Sequence, residues 1–203
     1  MKLKILLNFY RNWIADMFYL FADSETQERV KMDILQYQIQ YNDKRYDVKY
    51  SVIRALNYIL ASDLAFRSVF AFRIKSKWRK VIFSIFWRPL KTIEIACHDP
   101  NGTIEGGLWI SHNYCVLHVW SAGRNLRVGP GVTIGMKNNG ANIINPIIGN
   151  DVYVGTNSTI IGGIRIGNNS TIGAGSVVTK SIPENAVVCG NPARIMKYKV
   201  ESS

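Results

Sequence analysis

The chain has 203 residues, 47% of them hydrophobic and 19% charged, so wholesale disorder is excluded and a real core can be buried. Its three cysteines, Cys97, Cys115 and Cys189, are odd in number and far apart, which argues against a disulfide framework and a cysteine-based zinc site and suits a reducing compartment. The formal net charge is +11, which points to anionic partners.

The stretch from Leu3 to Phe21 is apolar but interrupted by Lys4, Arg11 and Asp16, and a spanning helix wants about 20 mostly apolar residues. It also lacks the form of a signal peptide, because the apolar run Ile5 to Leu7 stops at Asn8 and no small-residue cleavage site follows. The expectation is a cytoplasmic protein, with a peripheral position at the inner membrane face left open. No glycine occurs before Gly102. Apolar residues there recur at three- and four-residue spacing, as in Ile34, Tyr37, Tyr41 and Ile53, Leu56, Ile59, Leu60, which predicts helices. Ser24 is expected to cap a helix beginning near Glu25, with Glu28 close to its first turn. Pro89 is expected to end the last helical stretch.

Between Arg67 and Lys91 the chain has eight basic residues and no acidic one, interleaved with Phe70, Phe72, Trp78, Phe83, Phe86 and Trp87. Two readings stand side by side. The segment could lie on an anionic membrane surface, or it could pack its aromatics on neighbouring helices and point its cations at water. No nucleic-acid-binding motif accompanies the charge, so no nucleic-acid partner is expected.

The second half repeats itself every six residues. Ile104, Ile110, Val116, Ala122, Val128 and Ile134 are followed, after a break, by Ile148, Val154, Ile160, Ile166, Ile172 and Val178. Glycine often comes next, and Asn157, Ser158, Asn169 and Ser170 fall where corners are needed. Three short strands per coil, with the sixth-position aliphatics stacked inside, make a triangular β-helix. Between Ile134 and Ile148 the spacing exceeds two hexads by two residues, so a small loop is expected within 135–146. The expected division is a helical region over 1–95, the β-helix over 96–185 and a tail over 186–203.

This pattern resembles the hexapeptide-repeat acyltransferases, through Ile172-Gly-Ala-Gly-Ser-Val-Val178, Ile182-Pro183 and Gly190-Asn-Pro-Ala-Arg194. The resemblance implies a mainly β fold, a C-terminal left-handed parallel β-helix behind an N-terminal α-helical region, and acetyl-CoA as co-substrate. Gly106-Gly-Leu-Trp-Ile-Ser-His112 is similar to the serine acetyltransferase subgroup, where such a block carries the catalytic histidine. Three features of that subgroup are missing. Ser111 stands where an aspartate precedes the histidine, Ile144-Asn145 stands for an Arg-His pair before Pro146, and the acid of the dyad falls on Cys97. The pattern therefore looks more like the relatives that acetylate sugar hydroxyls of surface polysaccharides or their precursors. Serine O-acetyltransferase and a non-catalytic β-helix scaffold at a membrane surface are the rival readings. The resemblance also implies a homotrimer with the active site between subunits.

Moving acetyl from a thioester to a hydroxyl needs a base, and histidine ordinarily titrates in the right range. The chain has three histidines, His98, His112 and His118. His112 matches the motif, His118 follows at the same hexad phase, and His98 stays unassigned. Their spacing fits no metal-ligand pattern, so no metal is expected. Asp99, Glu94 and Glu105 are the carboxylates that could orient the base, with Asp99 taken as the expected partner and Glu94 one nominal coil below His112. The resemblance assigns cofactor contacts to Gly135, Met136, Thr156 and Ala174, with Lys137, Lys180 and Arg194 at the phosphates.

Overall fold

The computed structural model describes residues 2–49, 51–100, 102–138 and 143–200, with the side chains of residues 2–9, 46, 138 and 143 left out of the description. It divides into two compact units, Met1–Leu90 and Lys91–Ser203. The first is helical, as the glycine-free sequence predicts. Its described elements are α1 (Lys2–Leu20), α2 (Ser24–Tyr41), a single 3₁₀ turn (Lys44–Tyr46), α3 (Val52–Ser62), α4 (Leu64–Arg73) and α5 (Lys77–Trp87).

The cap of α2 is Asp23, not the expected Ser24, which is the first helical residue. Asp23 has extended backbone, and its carboxylate accepts from the Thr26 amide at 2.9 Å and from Lys75 Nζ at 2.9 Å. An aspartate can accept the amide and also place negative charge on the positive helix end, which a serine cannot. The Lys75 ammonium, then the Thr26 amide, hold this carboxyl well below the usual carboxylate range. A depressed folded-state pKa stabilises the fold above the unfolded value of about 4 and loses that effect as pH falls toward the folded one. Asp23→Ala is expected to cost about 1 kcal/mol at neutral pH, nearly all from the lost cap, since the solvated Lys75 pair adds little. Urea titration of both proteins checks this, with the difference shrinking once the pH drops below about 4.

Aromatic rings form the spine of the helical core. Tyr37 meets Phe66 edge-on at 5.1 Å between centroids, and Phe70 lies 5.2 Å from Phe83. Leu56, Ile59, Leu60 and Trp87 are buried beside them. Inside this core Arg73 holds Asp33 with two bonds, Nε to Oδ2 at 2.8 Å and a second guanidinium nitrogen to Oδ1 at 2.9 Å. Phe70, Arg73, Phe83 and Trp87 are therefore core residues, whereas Trp78 points outward. Helix α5 stops at Trp87, Arg88 turns the chain with φ 45°, and Pro89 follows, as its sequence position predicts.

The second unit is a parallel β-helix with three faces. The first face stacks Ile93–Cys97, Cys115–Val119, Thr133–Gly135, Thr159–Ile161 and Val177–Val178. The second stacks Ser121–Ala122, Ile147–Ile148 and Arg165–Ile166, extended by bridges at Ile104 and Ile182. The third stacks Trp109–Ile110, Arg127–Val128, Tyr153–Val154, Thr171–Ile172 and Ala186–Cys189, and is closed by the antiparallel strand Arg194–Tyr198. The hexad aliphatics are buried inside the prism except at one point. In Cys115–Val119 the odd positions face inward, and Leu117, not Val116, stacks beneath Ile134. The cause is one extra residue at the preceding corner, where Tyr114 takes φ 64°. A one-residue shift exchanges the two faces of a strand.

Both chain divisions differ from the compositional ones. Ile93–Cys97 is already a strand of the β-helix, paired with Cys115–Val119. Residues beyond 185 supply two paired strands, so 186–198 belong to the sheet. The expected loop is a hairpin, Lys137–Asn138 against Ile143–Ile144, leaving the corner between the first and second faces.

Candidate active site

Each coil turns from the third face to the first through a short corner. Those corners are Ser111–Tyr114, then Gly129–Gly131, Gly155–Asn157 and Gly173–Gly175. They stack through backbone bonds, Ser111 N to Val128 O at 3.0 Å, Asn157 N to Pro130 O at 2.8 Å and Gly175 N to Thr156 O at 2.8 Å. His112, Pro130, Thr156 and Ala174 are thus brought into line along one edge of the prism. The glycines beside them have a packing reason. A Cβ at Gly155 would lie 2.6 Å from Ala174 N, and one at Gly129 2.7 Å from Thr156 N, so the next coil's backbone occupies that space.

His112 is exposed at the head of this edge, next to Tyr114, which is 71% exposed. Beneath the corner Cys115 is buried, and its thiol donates to Gly129 O at 3.4 Å. Burial pushes that thiol's pKa up, which keeps it a neutral donor and not a nucleophile. Ser111 Oγ is buried beside His112 with no hydrogen-bond partner. Neither the corner role of Cys115 nor the burial of Ser111 was visible in the sequence. The available signal was the alternation of Cys115, Leu117 and Val119, once the hexad phase is allowed to slip.

The remaining residues lie on the edge between the first and second faces. Gly135 and Met136 begin the hairpin and Lys137 forms its first strand, while Gly162 N donates to Gly135 O at 3.1 Å one coil on. A Cβ at Gly135 would meet nothing within 4 Å, and Met136 is 45% exposed, so this edge opens outward. Lys180 stands on the same edge, and with Thr179, Ile182, Pro192, Ala193 and Arg194 it lines a cavity of about 270 Å³. Lys180 and Arg194 therefore line one cavity.

Within one chain the two edges do not meet. A five-residue strand rises about 3.3 Å per residue, so the first face holds His112 and the hairpin roughly 16 Å apart.

The same topology corrects the expected acid. Asp99 follows the strand Ile93–Cys97, at the far end of the first face from His112, where its carbonyl accepts from Gly102 N at 3.2 Å. It is not the partner of His112 in the same chain. Glu94 is also displaced, because the extra corner residue and a longer first coil set it opposite Val116. Its carboxylate instead meets His118 Nε2 at 2.8 Å on the first face, with His98 5.2 Å from the His118 ring. Glu105 follows Ile104 on the second face, where its amide donates to Ala122 O. Among the described residues no group of three side chains could hold a metal ion.

The family "Bacterial transferase hexapeptide (six repeats)" matches residues 145–180. Galactoside O-acetyltransferase of Escherichia coli strain K12 is 39% identical, over 40% of this chain and 51% of that one. A 2,3,4,5-tetrahydropyridine-2,6-dicarboxylate N-acetyltransferase of Staphylococcus aureus strain MRSA252 is 36% identical, over 40% of this chain and 34% of that one. The chain thus spans about half or less of the length of these curated relatives. The crystal structure of serine acetyltransferase from Brucella abortus strain S19 superposes with a TM-score of 0.64 at 25% identity, covering 94% of this chain and 76% of that one.

Proposed function

We propose that this chain, whose repeat unit belongs to the bacterial hexapeptide-repeat transferases, moves an acetyl group from acetyl-CoA to a hydroxyl, with His112 as general base. The observation that carries the reading is the alignment of an exposed His112 with the close-packed edge through Thr156 and Ala174. As the hydroxyl oxygen attacks the thioester carbonyl, the imidazole takes its proton. The carbon–sulfur bond then breaks, and the proton passes to the leaving thiolate. Backbone amides of the corner supply donors for the transient oxyanion.

The residues present suit the co-substrate. The edge amides and carbonyls at Thr156 and Ala174 offer a track for the pantetheine arm. Lys180 and Arg194 share a cavity sized for phosphate groups. Gly135, Met136 and Lys137, like Lys180 on the same edge, complete such a site only from a second subunit, since the first face separates them from His112. That separation is consistent with the homotrimer, with clefts between subunits, that the resemblance implies. The working compartment is the one that holds acetyl-CoA, the cytoplasm.

For the acceptor we favour a sugar hydroxyl, as in a surface polysaccharide or its precursor. Serine carries two charges and needs charged partners. Ser111 and Asn145, at the positions where the resemblance places serine contacts, are neutral, and both have side-chain oxygens buried without a partner. The galactoside O-acetyltransferase relative points the same way, whereas the fold neighbour favours serine as the second reading. The test is release of CoA thiol from acetyl-CoA with a simple β-galactoside or with L-serine as sole acceptor. Turnover above the water rate is expected with the glycoside alone. Robust turnover with serine overturns the sugar assignment, and failure to bind acetyl-CoA returns the chain to the scaffold reading.

A further inference from the structure

Helices α1 and α5 pack side by side in the helical unit. Trp87 Nε1 donates to Arg11 O at 3.0 Å, and the Arg11 guanidinium lies 4.2 Å from the Trp87 ring centre. At their other ends Phe18, Tyr19 and Phe21 share a cavity with Ser76 and Arg79, so the two helices run antiparallel. The inward side of α5 is Phe83 and Trp87, and that of α1 is Ala15.

The outward sides are also apolar, against the usual rule for a surface helix. On α5, Trp78, Val81 and Ile85 are each more than 60% exposed. Tyr10, Trp13 and Leu20 on α1, and Phe21 just after it, are each half exposed or more. The α1 positions 10, 13, 17 and 20 follow helical three-four spacing, and Leu3 and Leu6 continue it in the sequence. Scattered exposed apolar residues need no explanation, but two helices with apolar outward arcs do.

The charge beside these arcs selects the occupant. Lys77, Arg79, Lys80 and Arg88 lie on or just past α5, which has no acidic residue. The one acid of α1, Asp16, accepts from Asn57 Nδ2 at 2.9 Å within the unit. A second copy of this chain would bring the same positive charge to the contact. An anionic bilayer brings the opposite charge, together with an apolar layer at the depth that tryptophan and tyrosine prefer. No helix among the described residues is long and apolar enough to cross a membrane, so the contact lies in the interface plane.

We propose that the outward arcs of α1 and α5 dock the helical unit on an anionic membrane surface. The proposal does not depend on the acetyl-transfer reading. It is tested with the full chain by sedimentation with phosphatidylcholine–phosphatidylglycerol vesicles and with phosphatidylcholine vesicles. Binding is expected to be at least about tenfold tighter to the anionic vesicles at low salt, and to weaken at high salt. Trp78→Ser with Ile85→Ser changes only exposed side chains and is expected to lose a further tenfold or so, with helical circular dichroism unchanged. Equal affinity for both vesicle types overturns the proposal, as does absence of binding to either. So does a wild-type mass by light scattering that the double variant lowers without any vesicle binding, since the face is then covered by a second copy.

Discussion

His112→Ala is expected to lower kcat for acetyl transfer by about 10²- to 10⁴-fold, the usual contribution of a general base. Affinity for CoA should be unchanged. The imidazole stands exposed at a corner whose shape is set by backbone bonds and by the Cys115 thiol beneath it, so its loss removes a proton acceptor and no support. Thiol release gives kcat and the KM for acetyl-CoA separately, and added imidazole should restore part of the rate. His118→Ala is the matched control. That ring is occupied by Glu94 on the first face, six residues along the chain, and its removal should leave most of the activity. Full activity of His112→Ala, or loss confined to His118→Ala, would transfer the role of base to the His118–Glu94 pair.

The largest stability effect should come from the other unit. Removing one partner of the Asp33–Arg73 pair is expected to cost about 3–5 kcal/mol, because the remaining charge stays buried without its counterion. The side chains are only 1% and 4% exposed, so water cannot replace the missing group. Arg73→Met should therefore shift the urea transition of the helical unit, followed by circular dichroism at the helix band, far more than Asp23→Ala does. The double variant Asp33→Leu with Arg73→Met should recover most of the loss, since two apolar groups leave nothing unsatisfied. A double variant as unstable as the single one would mean that the pair itself, and not the penalty of an unpaired charge, stabilises the core.

Much of the fold could be read from the chain, for identifiable reasons. A coil that repeats must place an aliphatic residue inside at every turn, and that demand leaves a period that no folded context can hide. The hairpin was visible as two surplus residues between Ile134 and Ile148. The block Gly106-Gly-Leu-Trp-Ile-Ser-His112 was legible through its resemblance to the serine acetyltransferase subgroup, not through the hexad period. The acid partner was not visible in this way. Glu94 was placed by counting back one nominal coil, and Asp99 by its nearness to the dyad position that the resemblance implies. A surplus residue at Tyr114, with a longer first coil, sets Glu94 opposite Val116, and Asp99 follows the far end of its strand. The α2 cap was misplaced by one residue because Asp23 and Ser24 are both good caps, and only the bond to Thr26 N chooses between them.

By itself, then, the sequence determined the β-helix, the helical unit before it and the place of a loop within 135–146. These depend on periodicity and on backbone geometry that only particular residues allow, and both are local. The tertiary structure decided which edge of the prism each site residue occupies and that the hairpin and His112 stand apart in one chain. It also decided which aromatics between Arg67 and Lys91 turn inward. Those outcomes depend on register between coils and on which neighbour covers each helix face, and both are set by contacts between residues far apart in the chain.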